Sequence, residues 1–416
     1  MPSVVTKTIP AHQGSQVYLK SKHYRATKQI QENQVLNRAI LDLGSGFVPV
    51  FLVELLGRNW QTAVETLFGN VLRLFTNYAA PLGLVPVFNN ISGKRNNLPD
   101  SLDNLFSVQF EDLTPDTNVQ AFRKKLFEIV NKKGHETIKK MSDDELSSLK
   151  RKLLDAKSFV RKLDLMSVGF LTYSSPWIRN LFTKSILRVS GYPGELGVLG
   201  ESEREQSASI HERFGLLKFA SGLLFLFLGS HWDAEKFKKA VSLPKEETGK
   251  DMLLNHMRGN MKNFDYYKGY ITKRGNIFRH NLYGGITSRL LASRSINEII
   301  ERLITMVISL TGNFWGDLIA HNTLARNHDK KYETKIISHS KDGLNGKKVK
   351  PLSLLENELE GAVKKGNDDN AVKLLESIKG QIKTYYQSMG LTALVMGVVT
   401  AFRIWNTKRR AAGGKY

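Results

Sequence analysis

Nineteen consecutive residues near the end of this chain, Thr384 to Phe402 (TYYQSMGLTALVMGVVTAF), carry no charged side chain. At ~1.5 Å per residue, a helix of that length comes close to crossing a ~30 Å hydrocarbon core. Tyr385 and Tyr386 stand at one end and Phe402 and Trp405 at the other, where interfacial aromatics belong. Lys383 precedes the stretch, while Arg403, Lys408, Arg409 and Arg410 follow it. Such a segment must either meet lipid or be wrapped on all sides by protein, and its flanks favour lipid. Gly390, Ala393, Gly397 and Ala401 fall on one helical face. Small residues there let helix backbones approach closely in a bilayer, which makes self-association through this face an expectation. A buried core helix with a tight crossing would use the same residues.

A second candidate span covers 214–232, interrupted by Lys218, which can snorkel from near a helix end. Gly215, Gly222 and Gly229 recur every seven residues along it, a further close-packing seam. The apolar runs Leu43–Val53 and Leu74–Phe88 contain Pro49, Pro81 and Pro86 and are shorter than a straight span. They read as a buried hairpin or re-entrant pair. Leu165–Ile178, broken at Pro176, and Leu303–Gly316 read as core.

The formal net charge of +22 is confined to four windows. Residues 1–31 hold five Lys/Arg and no acid, and 258–294 hold eight against Asp265 alone. Residues 324–350 have eight basic and three acidic side chains, and the tail from Arg403 adds five basic residues without an acid. Localised positive charge of this kind suits an anionic partner, either lipid headgroups or nucleic acid. Within 258–289, Lys262, Tyr266, Tyr267, Lys268, Tyr270, Lys273, Arg274 and Arg279 interleave cations with aromatics. That pattern serves a lipid interface, or bases stacked on rings beside paired phosphates.

The chain has no cysteine, which excludes disulfides, thiolate-ligated metals and thiol nucleophiles. No phosphate loop, dinucleotide fingerprint or nucleophile elbow is present. His135-Glu136 and His211-Glu212 each lack a second histidine, and the Asp317/His321 pair reads as a polar helix end. No catalytic, cofactor or metal residue is assigned.

Along the chain, 1–34 reads as a basic mobile arm and 35–190 as a Gly/Pro-broken apolar region followed by amphipathic helices. The best-marked helix opens at a Ser142/Glu145 capping box and carries an apolar stripe from Leu146 to Leu163, so it is expected to pack on protein. Residues 191–212 read as a Gly-rich acidic loop and 213–323 as a helical region. Next come a basic linker at 324–350, a helical hairpin at 351–383, the candidate transmembrane helix 384–405 and a basic tail at 406–416. The expected fold class is mainly α, membrane-associated, with one to two transmembrane helices and soluble helical regions. The leading expectation is a structural, scaffolding or assembly protein in a membrane with anionic lipids. The alternatives are a soluble or peripheral basic helical protein binding nucleic acid or forming a larger assembly, and an enzyme acting on a lipid or other apolar substrate. The basic tail favours a cytoplasmic C-terminus, and the lack of a signal peptide places the N-terminus there too.

Overall fold

The computed structural model describes residues 11–212, 215–259, 261, 276, 279–311, 317–344 and 347–411. The fold is mainly helical. Its principal helices in chain order are α1 (Ala11–Lys20), α2 (Lys22–Glu32), α3 (Ala39–Gly57), α4 (Trp60–Arg95), α5 (Asp143–Ser185), α6 (Gly215–Ser242), α7 (Ile296–Thr311), α8 (Asp317–Tyr332), α9 (Leu352–Lys364) and α10 (Asp368–Ala411). Two short strands, β1 (Ile337–Leu344) and β2 (Lys347–Val349), form an antiparallel hairpin in which Ile337 pairs with Val349.

Among the described residues four helices are long and apolar enough to cross a membrane: α3, α4, α6 and Asp368–Arg410 of α10. The first two were expected to be broken and too short. Their prolines interrupt nothing, because π-helical turns at Asp42–Phe47 and Phe75–Ala79 precede Pro49 and Pro81 within continuous helix. A π turn shifts the hydrogen-bond register locally, so the carbonyls that a proline orphans find other donors.

By contact density the chain forms two compact units. The first comprises residues 1–57 and 304–406. The 1–34 segment, expected to be a mobile arm, is helical from Ala11 and has a reason to dock: Tyr24 is 1% exposed within a core of Leu352, Leu355, Leu359, Leu374 and Ile378. The Tyr24 hydroxyl donates to Glu356 (3.0 Å), and Lys28 pairs with the same carboxylate. The expected hairpin at 351–383 is present as α9 and α10, turned at Gly366 with φ +65°. The segment 324–350, expected to be a linker, instead ends α8 and forms the β-hairpin; the Asp329 carboxylate accepts the Ile336 and Ile337 amides at 2.9 Å and fixes where the strand starts.

Within this unit α3 and α10 run parallel. A Cβ on Gly44 would stand 3.2 Å from Met389, Gly397 lies beside Val53, and a Cβ on Gly57 would stand 3.0 Å from Ile404. Contacts therefore advance in the same direction along both chains. Arg403 of α10 also pairs with the buried Glu54 of α3 and donates to Thr305 at 2.9 Å.

The second unit comprises residues 58–303 and 407–416. Its helices α4, α5 and α6 form an up-down-up layer. Ser92 of α4 donates to the Ala156 carbonyl of α5 (2.7 Å), and Phe68 stacks on Phe182 (4.1 Å), so α4 and α5 are antiparallel. Arg161–Asp233, Gly169–Leu226 and Tyr173–Gly222 contacts make α5 and α6 antiparallel too. The capping box at Ser142 and Glu145 is formed, and the stripe from Leu146 to Val160 enters a core with Phe110, Phe122 and Phe237. Two expectations need correction here. Helix α5 passes through Pro176 without ending, and 201–212, expected to be loop, is helical. Pro176 is itself buried, and packing on both sides holds the helix through it.

Candidate functional site

In the second unit, uncharged stretches of neighbouring helices lie side by side and are bracketed by charge. They run between Arg73 and Lys94 on α4, Asp164 and Arg179 on α5, Lys218 and Asp233 on α6, and Arg279 and Arg289 on the π-turn segment that includes His280–Ile286. The fifteen-residue step from Asp164 to Arg179 gives an apolar layer ~22 Å thick.

Inside that layer glycines set the helix separation. A Cβ on Gly222 would come within 2.3 Å of the Tyr173 hydroxyl, one on Gly229 within 2.6 Å of the Tyr283 ring, and one on Gly284 within 2.5 Å of the Gly169 carbonyl. Two of the three glycines in the expected seven-residue seam thus make close contacts; Gly215 has nothing within 4 Å. The approach lets Tyr173 donate to the Phe219 carbonyl at 2.8 Å.

One boundary of the layer is a buried polar cluster. Arg161 grips Asp233 through two hydrogen bonds (Nε–Oδ2 2.8 Å, Nη2–Oδ1 3.0 Å), and Arg279 adds an ion pair at 3.1 Å. Arg279 also donates to the Arg161 carbonyl and to Asn276 Oδ1, each at 3.1 Å. Beside them His280 Nε2 meets Asp164 Oδ2 at 2.7 Å. With partners this close, the charges are tolerated where isolated ones would be expelled. Among the described residues His280 Nδ1 has no hydrogen-bond partner, and no hydroxyl or thiol completes a nucleophile–base pair with it.

At the opposite boundary Glu298 collects three guanidiniums: Arg179 (3.1 Å), Arg294 (2.9 Å) and Arg302. Glu65 takes Arg294 (2.7 Å) and Arg179 (3.2 Å). Burial alone would raise the Glu298 pKa, yet Arg294 and Arg302 hold it well below the usual carboxylate range. Alongside, Arg58 pairs with Glu301 and donates to Tyr192 (2.9 Å), whose hydroxyl donates to Glu301 (2.8 Å).

Of the expected contact residues, Lys262, Tyr266, Tyr267, Lys268, Tyr270, Lys273 and Arg274 lie outside the described residues. Arg279 is 3% exposed and faces Asp233, so its charge is spent inside the protein. On α10, Gly390 and Ala401 are exposed, Ala393 and Gly397 half-buried, and a Cβ on Gly390 would meet nothing within 4 Å. That helix buries another face, through Thr384, Tyr385, Ser388, Met396, Thr400 and Ile404. No group of His, Asp and Glu among the described residues could hold a metal ion. Sequence reasoning missed the two charge clusters. Their only linear signal is the position of Asp164, Arg179, Asp233 and Arg289 at the ends of uncharged runs.

No family model, no curated protein and no solved structure matches this chain.

Proposed function

We propose that this chain is an integral membrane protein with a structural, scaffolding or assembly role, whose basic segments meet anionic lipid. One observation carries the reading: the large apolar side chains of the four long helices point outward. Leu56 is 85% exposed, Leu216 84%, Leu228 62% and Leu394 64%, with Leu224, Val398, Phe402 and Val71 also on the outside. A soluble monomer rarely leaves so much contiguous apolar surface open to water. The glycine-mediated approaches inside the layer suit a lipid setting, where packing rather than water drives helices together. Helix α5 fits the same reading without being apolar all round, because α4 and α6 cover it and its hydroxyls face protein.

On this reading the parallel packing of α3 with α10 sets a parity. Two parallel helices both cross in the same sense only when the chain between them crosses an odd number of times. Helices α4, α5 and α6, the 279–289 segment that joins the two charge boundaries, and α7, which leads back from Thr305 beside Arg403 to His321 beside Tyr385, supply five crossings. The chain termini then lie on opposite faces, which is incompatible with the sequence-based expectation that both are cytoplasmic. The face carrying residues 11–38, 96–142 and 243–259 holds more Lys and Arg than the opposite one, so the charge rule places that face in the cytoplasm. The tail after Asn406 then lies opposite, together with the acidic 195–212 segment.

Carbonate washing of membranes followed by detergent extraction tests integral insertion. The protein is expected to stay with the membrane in carbonate and leave it in detergent; full release by carbonate would overturn the reading. The exposed Gly390 and Ala401 face leaves room for a second copy, and single-molecule subunit counting in detergent would read a dimer.

A further inference from the structure

A cavity of about 350 Å³ opens beside the Arg/Glu boundary of the second unit, lined among others by Trp177, Leu181, Lys184, Gly215, Leu291 and Arg294. This volume is at the small end of the ~300–1,000 Å³ typical of ligand sites, enough for part of a lipid and not a whole one. Its lining is amphiphilic, combining Trp177, Leu181 and Leu291 with Asn180 and two cations, Lys184 and Arg294. Trp177 and Lys184 lie within two helical turns of Arg179, the residue that marks the edge of the apolar layer.

The charge around the cavity's polar end does not balance. Arg179, Arg289, Arg294 and Arg302 gather against Glu65 and Glu298, while Glu301 is taken by Arg58 and Tyr192, and burial raises the pKa of the nearby Glu195. Among the described residues the Arg289 guanidinium has no hydrogen-bond or ion-pair partner, although Arg302 donates to its backbone carbonyl. Burial first, then repulsion from Arg73, Arg179 and Arg302, lowers its pKa to about 9. A cluster of this kind is short of an anion.

We propose that the cavity binds an anionic phospholipid, with part of one acyl chain against Trp177, Leu181 and Leu291 and the phosphate at the Lys184–Arg294 end. This rests on the membrane reading and specifies one lipid site within it. A rim with one guanidinium and one ammonium, Arg294 and Lys184, backed by Arg289, suits phosphate, and the apolar wall excludes a free anion from the rest of the space.

The test uses the full chain in phosphatidylcholine nanodiscs doped with an equal mole fraction of brominated phosphatidylglycerol or brominated phosphatidylcholine. Subtracting the signal of Trp177→Phe isolates quenching at Trp177. Brominated phosphatidylglycerol is expected to quench several-fold more strongly, and Lys184→Gln or Arg289→Gln to weaken that preference roughly fivefold each. Equal quenching by both lipids overturns the proposal, as does a preference unchanged in both variants. Loss of the preference in millimolar inorganic phosphate would also overturn it, revealing a site for a free anion. Release by carbonate removes the membrane reading itself, whereas carbonate-resistant protein without lipid preference removes only this site.

Discussion

Arg161 and Asp233 face one another across the antiparallel α5–α6 contact, joined by two hydrogen bonds of 2.8 and 3.0 Å, with both side chains at most 5% exposed. Arg279 leans on the same carboxylate at 3.1 Å. The geometry is asymmetric, since one acid serves two guanidiniums.

Removing the acid should therefore cost more than removing either base. Asp233→Leu strands Arg161 and Arg279 together and is expected to destabilise by at least ~3–5 kcal/mol, the usual cost of breaking a buried pair. Arg161→Met leaves Arg279 on Asp233 and should cost less. Thermal unfolding in detergent would order the two; equal losses would show that Arg279 contributes nothing to this pairing.

Glycine positions separate just as sharply. Gly222→Ala drives a methyl into Tyr173 and Leu291, at 2.3 and 2.7 Å, and overpacking of that kind costs ~1–3 kcal/mol. Gly390→Ala meets nothing within 4 Å and should be neutral or slightly stabilising through helix propensity. The comparison is read from melting temperatures of the two variants in one detergent.

Glu195 predicts a pH dependence. It is 1% exposed, and burial foremost, with Glu298 and Glu301 nearby, raises its pKa above the ordinary carboxylate value. The folded protein thus keeps this proton to higher pH than the unfolded chain does. The resulting stabilisation is complete below the unfolded pKa and disappears as pH rises through the folded one. Glu195→Gln removes that titration, and its amide oxygen can still accept from Asn297, which now donates to Glu195 at 2.9 Å. The variant's melting temperature should fall less than wild type's between about pH 4 and pH 7. Parallel curves would refute the prediction.

Topology offers the fourth prediction. Tags after residue 1 and after residue 416 should be accessible from opposite faces of sealed vesicles, and a tag in the 243–251 segment should share the face of the first. Two termini on one face would mean that α3 and α10 do not both cross.

Several features were legible before any fold was known. The uncharged run at Thr384–Phe402, the capping box at Ser142 and the glycine spacing at Gly222 and Gly229 each depend on neighbours close in sequence, and each is realised. The interruptions assigned to Pro49, Pro81 and Pro176 are not, because a proline breaks a helix only when its freed carbonyl finds no other donor. The π turns and flanking helices of this fold decide that from a distance.

By itself the sequence determined the helical class, the absence of thiol chemistry and the presence of apolar segments long enough to meet lipid. These follow from composition and from periodicity within one turn or one run. Only the tertiary structure decided that Glu65, Arg179, Arg294, Glu298 and Arg302 form one cluster, that Arg279 turns inward to Asp233, and that α3 and α10 run parallel. The physical reason is that a charge in a linear chain shows its sign but not its partner. Ion pairs as far apart in sequence as Glu65 and Arg294 exist only once packing has desolvated both members and brought them within hydrogen-bond reach.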